Sequence, residues 1–279
     1  AVLDFSTPGR RAAMVGDEVR LNRRLAPDVY LGARALRLGP DGAPTLGPEG
    51  APVDWLVEMR RLPEDRMLDR IAAAGGPAPG DLDRLGATLA TFYRALPPEE
   101  IDPRAHLDRL RAEHARTAEA LTDPALGLDS GEAAPALAAF ERALEAAAPA
   151  LEARVREGRI VEGHGDLKPE HVCLTDPPAI IDCLEFNRAL RLVDPFDEIA
   201  FLGLECAGLG ADGVFPALRD RLEAGLDDRP PTGILALYWR YRALLRARLA
   251  ILHLAEPEPR TPGKWRPLAR RHLALAAEA

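Results

Sequence analysis

The sequence predicts an α+β fold with two lobes, a small N-terminal α/β lobe and a larger, mainly helical lobe. The first observation is that residues 1–62 combine one helical stretch with two strand-like stretches. The second is that apolar residues beyond this point recur mostly at the three- and four-residue spacing of helices. The third is that strand-like segments interrupt the helical part only within residues 159–185. We therefore place the lobes at residues 1–62 and 63–279.

The predicted small lobe begins with a helix and continues with a hairpin. Residues 6–8 read Ser-Thr-Pro, a hydroxyl cap followed by proline in the first turn, and the helix is expected to run to about Leu25. Residues 29–38 and 54–59 are strand-like, and the Gly- and Pro-rich residues 39–52 between them predict a hairpin loop.

The helical lobe is expected to open with a helix from residue 81, where Leu and Phe recur on one face. Further helices are predicted at 107–121, over 137–155 with a break near Pro149, and at 195–209, 213–226, 232–255 and 265–277. Short strands are predicted at 159–162, 172–175 and 179–181.

Composition excludes several classes of protein. The chain of 279 residues is long enough for a substantial core, and its net charge of -8 argues against a general nucleic-acid binder. Its three cysteines form no CxxC pair, and no stretch approaches 18 consecutive apolar residues. We expect a cytoplasmic protein with no nucleic-acid or membrane partner. The sequence gives no indication of the oligomeric state.

Two acidic segments carry the chemistry. Residues 164–171 read His-Gly-Asp-Leu-Lys-Pro-Glu-His, and residues 180–185 read Ile-Ile-Asp-Cys-Leu-Glu. Phosphoryl transfer needs a carboxylate that orients the attacking hydroxyl and further ligands that hold Mg²⁺ on the nucleotide phosphates. Asp166 fits the first role, and His171 and Asp182 fit the second.

These motifs resemble the aminoglycoside phosphotransferase family of kinase-like proteins, in particular its uncharacterised bacterial branch. Residues 164–167 match its catalytic loop, Asp182 matches its Mg²⁺-binding Asp, and residues 194–197 resemble a downstream Asp-Pro-x-x-Asp element. The resemblance implies a protein-kinase-like fold, ATP and Mg²⁺ as cofactors, and a small-molecule hydroxyl as acceptor. Family members act on aminoglycosides, choline-like alcohols and sugars, and the acidic chain would suit a cationic acceptor.

The resemblance also assigns residues outside the acidic segments. Glu18 corresponds to the Glu that pairs with the phosphate-binding lysine. Glu58, Met59 and Arg60 fall in a segment resembling the hinge that binds adenine through its backbone. Supporting roles are expected for His164, which would bridge the catalytic loop to the strand before Asp182, and for Glu185 and Asp194.

Several assignments keep an alternative. His171 stands where the family usually has Asn, so it is either a metal ligand or a hydrogen-bonding brace. Lys168 either contacts the γ-phosphate or is a solvated loop lysine, and Glu185 is either a supporting acid or an exposed ion-pair former. Asp194 and Asp197 fit the N-terminus of a helix. The arginines of residues 240–248 are expected to form a solvated, paired face.

The sequence departs from the family at the phosphate-binding lysine, because no lysine precedes Lys168. The family's glycine after the metal-binding Asp is also replaced, here by Cys183. We expect a truncated small lobe, and we favour a fragment of a longer protein over a reduced, inactive member.

Three functions remain open: an ATP-dependent phosphotransferase, a non-catalytic nucleotide-binding pseudokinase or regulatory module, and a metal-dependent hydrolase using the same acids. A zinc site of His164, His171 and Cys173 lacks a further ligand cluster.

Overall fold

The computed structural model describes residues 4–278, and for residue 130 the backbone alone. A small sheet with one helix precedes a larger helical lobe, which confirms the predicted α+β two-lobed fold. The boundary at residue 62 stays a prediction. The helices are α1 Pro8–Asn22, α2 Leu68–Ala73, α3 Pro79–Ala95, α4 Pro103–Thr122, α5 Ser130–Arg156, α6 Pro195–Gly208, α7 Val214–Leu226, α8 Thr232–Leu252 and α9 Pro262–Glu278. The strands are β1 Tyr30–Leu38, β2 Pro44–Thr45, β3 Pro52–Met59, β4 Val161–Glu162, β5 Val172–Cys173, β6 Ala179–Ile180 and β7 Leu192–Val193.

The small lobe is an antiparallel sheet with strand order β2-β1-β3, packed against α1. As predicted, Thr7 caps α1, because its hydroxyl accepts a hydrogen bond from the backbone N–H of Arg10 at 3.3 Å. The helix ends at Asn22, earlier than the predicted end at Leu25. Residues 23–29 instead form turns, and these turns lead the chain towards the acidic segments.

The helical lobe shares one apolar core, to which all the long helices after the small lobe contribute. The predicted break near Pro149 is wrong, since α5 continues through this proline. A proline inside a helix costs about 3 kcal/mol through a lost hydrogen bond and a clash. Leu144 and Leu151 lie on either side of it and are 2% and 1% exposed. Their burial holds the two halves of α5 on the same core and offsets this cost.

Short strand pairs carry the acidic segments. Strands β5 and β6 pair antiparallel with Val172 opposite Ile180, and β4 pairs antiparallel with β7. A small cluster that includes Val29, Tyr30, Cys173 and Ala179 packs the small lobe against β5 and β6. The hairpin that leads to Asp182 is therefore fixed to both lobes. No helix within residues 4–278 is long and apolar enough to cross a membrane.

Ion pairs inside the helical lobe correct the prediction of a solvated arginine face. Arg242 is buried and donates two hydrogen bonds of 2.7 Å to the Asp197 carboxylate. Arg246 pairs with Glu205 at 2.9 Å in a partly buried position. The reason is that α6 packs against α8 and carries acids that need partners once they are buried.

Asp194 lies at the predicted N-terminus of α6. Its carboxylate accepts a hydrogen bond from the backbone N–H of Phe196 at 2.9 Å. The same carboxylate forms a buried ion pair with Arg154 and accepts the Tyr238 hydroxyl at 2.9 Å. Burial raises the pKa of Asp194, although the charge of Arg154 acts in the opposite direction. Asp194 therefore ties α6 to α5 and α8.

Candidate active site

The ring of His171 lies between the two acidic segments. Its Nδ1 atom is 2.9 Å from the backbone carbonyl oxygen of Asp166, and its Nε2 atom is 3.0 Å from Oδ2 of Asp182. The ring is buried, whereas the Asp182 side chain is 65% exposed. One imidazole thus connects the loop of the first acid to the side chain of the second, although the two acids are sixteen positions apart.

Asp182 has a backbone conformation that is uncommon for a residue with a side chain. Its φ is 63°, in the left-handed region, which Asp tolerates better than most residues. Its backbone N–H donates to the Tyr30 hydroxyl at 3.2 Å. The hydrogen bond with His171, followed by the charges of His171 and Lys168, lowers the pKa of Asp182. The carboxylate is thereby kept ionised and accessible, as a metal ligand requires.

Asp166 lies opposite Lys168 within the catalytic loop. Oδ2 of Asp166 is 2.9 Å from Nζ of Lys168, and Glu170 is 3.4 Å from the same ammonium. Burial alone would lower the pKa of Lys168, but the hydrogen bond and charge of Asp166, with the charge of Glu170, outweigh it and raise that pKa. Lys168 is therefore a charged, partly buried lysine that contacts the predicted base, and it is not a fully solvated loop residue.

His164 makes the bridge that the sequence predicted. Its Nε2 atom is 2.9 Å from the carbonyl oxygen of Ile181, the residue before Asp182. The backbone N–H of Asp166 points at Nδ1 over 3.3 Å, so Nδ1 acts as the acceptor and Nε2 carries the proton. Complete burial lowers the pKa of His164 to about 4. The ring is consequently neutral near pH 7 and acts as a brace.

Glu198 is a site residue that the sequence analysis missed. Its carboxylate is 1% exposed and accepts the backbone N–H groups of His164, at 3.0 Å, and of Gly165. It also accepts the Tyr93 hydroxyl at 2.7 Å. These bonds hold the backbone immediately before Asp166. The available signal was the presence of acids in the largely apolar α6, because such residues are buried only when they have partners.

Three more supporting residues were missed, and they come from the last residue of α1, the turn after it and the first residue of β1. Asn22 accepts the backbone N–H of Cys183 at 2.8 Å, and Tyr30 accepts that of Asp182. Arg24 donates to the carbonyl oxygens of Glu162 and Gly163 at 2.8 and 2.7 Å. Within the sequence these residues belong to a helix end and a strand start, and nothing local identifies their distant backbone partners.

Glu18 lies on α1 near two other acids. Burial, followed by the charges of Glu185 and Asp182, raises the pKa of Glu18. Within residues 4–278, Glu18 forms no ion pair with a basic residue, in keeping with a chain that has no lysine before Lys168. Glu185 is partly buried, and its charge contributes to the raised pKa of Glu18; its role as a supporting acid stays a prediction.

The predicted hinge requires a correction at Arg60. Its backbone N–H donates to the carbonyl oxygen of Val29 at 2.8 Å, so this group is not free for a base. The backbone pairing with the residues before β1 continues one residue beyond β3, and it uses the N–H of Arg60. Met59 pairs with Tyr30 across the sheet, and the Glu58 carboxylate pairs with Arg34 at 2.6 Å. An adenine contact by Glu58 or Met59 stays a prediction.

A cavity of about 820 Å³ opens near the hinge but contains none of the acids just described. Its walls come from the turn after α1, the segment after β3, helix α3 and the turn between β5 and β6. Size alone would make it the binding site. The chemistry argues otherwise, since Asp166, His171 and Asp182 all lie outside its lining.

The residues present fit a divalent ion that also binds a nucleotide. Within residues 4–278 no three His, Cys, Asp or Glu side chains converge as a complete ligand set. Mg²⁺ in nucleotide sites is usually held by one or two protein ligands, and substrate phosphates and water complete its shell. Asp182 and His171 provide two such positions.

The small lobe precedes a larger helical lobe, and the two acids follow a loop and a hairpin; this arrangement resembles that of kinase-like phosphotransferases. Residues 59–196 match the sequence model of the phosphotransferase enzyme family. This segment contains Asp166 and Asp182 and is similar to that family over its whole length. The resemblance predicted from the motifs is confirmed.

Relatives and a solved structure complete the comparison. Uncharacterised proteins of Mycobacterium tuberculosis and Mycobacterium bovis are 31% identical over 99% of this chain. The chain spans 53% of the length of these relatives. A glucosamine kinase solved with glucosamine, ADP and phosphate aligns with 81% of this chain and 61% of its own, at 18% identity and a TM-score of 0.44.

Proposed function

We propose that this chain contains the catalytic centre of an ATP-dependent phosphotransferase that transfers the γ-phosphoryl group to a hydroxyl of a small molecule. The observation that carries the proposal is the position of the His171 ring. Its Nδ1 atom lies 2.9 Å from the carbonyl oxygen of Asp166, and its Nε2 atom lies 3.0 Å from the carboxylate of Asp182. The ring thus links Asp166, which can orient an acceptor hydroxyl, with Asp182, which can bind a metal ion. The family match over residues 59–196 supports the same reaction class.

In this mechanism Asp166 orients the acceptor hydroxyl and takes its proton as the phosphoryl group transfers. Lys168 holds the Asp166 carboxylate in place at 2.9 Å and offers positive charge to the phosphate oxygens. Asp182 and His171 would hold the divalent ion, Mg²⁺ in the family, and this ion supplies positive charge to the nucleotide phosphates. Glu198 and His164 fix the loop, because the reaction depends mostly on positioning.

The acids around the site favour a positively charged acceptor. Glu18, Asp182 and Glu185 lie close enough for their charges to raise the pKa of Glu18, and the chain carries a net charge of -8. A cationic alcohol or amino sugar would lower this repulsion on binding. A cytoplasmic location stays a prediction.

Transfer from γ-labelled ATP to a panel of aminoglycosides, choline-like alcohols and sugars tests the proposal. Asp166→Asn should lower kcat by about 10²–10⁴, the usual contribution of a positioned base. The matched control is Asp220→Asn, since Asp220 is an exposed acid on α7. Equal turnover in wild type and Asp166→Asn would remove the assigned base.

A second candidate function is a nucleotide-binding module without transfer. It is favoured by the lack of basic side chains for binding phosphate. Glu18 has no basic partner within the described residues, and Lys168 is the single lysine near the site. Calorimetry with MgATP separates the two functions, because binding without transfer supports the module. Phosphate release in water without any acceptor would instead indicate a metal-dependent hydrolase.

A further inference from the structure

The cavity of about 820 Å³ beside α3 has no part in the proposed reaction, because its lining contains none of the acids of the candidate active site. Sites for small molecules are usually concavities of about 300–1,000 Å³ with mostly apolar walls and a few polar groups. Leu25, Phe92 and Ala179 form part of the walls, and each is less than a tenth exposed. The volume and the walls therefore suit the apolar body of a small molecule.

Basic side chains border this cavity. Arg60 and Arg61 are exposed residues of the segment after β3, and within residues 4–278 neither forms an ion pair with an acid. The lining contains three arginines and two aspartates, Asp28 and Asp176, whereas the whole chain has a net charge of -8. Guanidinium groups bind carboxylates, sulfonates and phosphates with two parallel hydrogen bonds. The charge beside the cavity therefore favours a ligand with an anionic group.

The third arginine, Arg24, is already fully engaged with the backbone. Its guanidinium nitrogens donate to the carbonyl oxygens of Leu21, Glu162 and Gly163 at 3.0, 2.8 and 2.7 Å. Arg24 thus adds positive charge to the wall, but its hydrogen bonds hold the segment that leads into the catalytic loop. A ligand anion is left with the two exposed arginines, and these are the positions at which its recognition can be tested without displacing the loop.

We propose that this cavity is a second ligand site, which binds a small organic anion with an aromatic or aliphatic body. The body lies on the apolar walls formed by Leu25 and Phe92, and the anionic group is bound by Arg60 and Arg61. The proposed function places its nucleotide at Asp182, outside this lining. The inference goes beyond the proposed function and does not depend on it.

Calorimetry with anilinonaphthalene sulfonate, an aromatic ring system with one anionic group, tests the site. We expect one molecule to bind to the protein, and phenylnaphthylamine, the same ring system without the sulfonate, to bind more weakly. Ala87 is an exposed residue of α3 in the lining, so Ala87→Trp should fill the cavity and prevent binding. The matched control is Ala112→Trp, because Ala112 is exposed on α4 outside the lining and binding should be unchanged.

Charge variants test the recognition of the anionic group. Arg60→Gln and Arg61→Gln should each weaken binding of the sulfonate about three- to tenfold, whereas the affinity for phenylnaphthylamine should stay unchanged. The matched control is Arg104→Gln, since Arg104 is an exposed arginine of α4 outside the lining and should affect neither probe.

Four results would overturn the proposal. The sulfonate does not bind, it binds equally well to Ala87→Trp, or its affinity is unchanged in both Arg60→Gln and Arg61→Gln. The fourth is a wild-type dimer that Ala87→Trp converts into monomers, because a second copy of the chain then covers the cavity. If Ala87→Trp fails to fold, Thr91→Trp replaces it, at another exposed position of α3 in the lining.

Titration in the presence of saturating MgATP separates this inference from the proposed function. We expect the sulfonate to bind with MgATP present, since the two ligands have different sites. Displacement of the sulfonate by MgATP would place the nucleotide in the cavity and overturn both proposals. Sulfonate binding by a protein that transfers no phosphoryl group would leave this inference intact and refute the proposed function.

Discussion

Replacing Glu198 with glutamine should destabilise the protein and displace the catalytic loop. The carboxylate accepts three hydrogen bonds, from the backbone N–H groups of His164 and Gly165 and from the Tyr93 hydroxyl. In Glu198→Gln an NH₂ group must face at least one of these donors. Losing one charge-assisted bond at a buried position and leaving its donor unsatisfied costs about 2–4 kcal/mol.

The midpoint of thermal unfolding is the first assay. For a domain of this size each 1 kcal/mol corresponds to roughly 2–4 °C, so a decrease of roughly 5–15 °C is expected. A loop displaced by 1 Å also lowers kcat, by up to about 10²-fold. The comparison is Tyr93→Phe, which removes one donor and leaves both backbone bonds, and should cost about 1 kcal/mol. If Glu198→Gln is no less stable than Tyr93→Phe, the account of the loop is refuted.

Three further predictions test other parts of the structure. Gly165→Ala should lower both stability and activity, because Gly165 has a φ of 88° and an added Cβ would lie 3.1 Å from the Leu190 carbonyl oxygen. An unchanged midpoint of unfolding in urea would contradict this prediction. Asn22→Ala should lower the free energy of unfolding in urea by about 1–3 kcal/mol, because the buried backbone N–H of Cys183 loses its acceptor. Asn187→Ala, at the exposed cap of a short turn, is the control and should lower it by about 1 kcal/mol or less. The free energy of unfolding should also fall as the pH is lowered from 6.5 to 4. Burial lowers the pKa of His106, His164 and His272 to about 4, so the unfolded chain binds more protons than the folded chain in this window. A free energy of unfolding that does not change over this pH range would refute the burial of these rings.

The elements that the sequence predicted well have their signals nearby in the chain. Thr7 and Pro8 mark the start of α1, and the apolar spacing of residues 82–96 marks α3, since caps and periodicity act within a few residues. The end of α1 and the continuity of α5 were predicted wrongly. Both depend on contacts made far along the chain, in the case of Pro149 on the core packing of its neighbours.

The residues of the candidate site also differ in whether a local sequence pattern predicts them. Asp166, His171 and Asp182 stand in two short motifs, and the structure brings them together around one ring. The residues that hold those motifs in place were not predictable, because Glu198 is thirty-four positions from His164, and Asn22 is one hundred and sixty-one from Cys183. Side chains that bind a distant backbone leave no local pattern, apart from acids in a largely apolar helix such as α6.

Crystals of the protein with Mn²⁺ and a non-hydrolysable ATP analogue would test the central claim most directly, through the anomalous signal of the metal. We expect one peak within bonding distance of Asp182, with the terminal phosphate facing the Asp166 carboxylate. A nucleotide bound instead in the cavity beside α3, or a metal ion that contacts neither Asp182 nor His171, would contradict it.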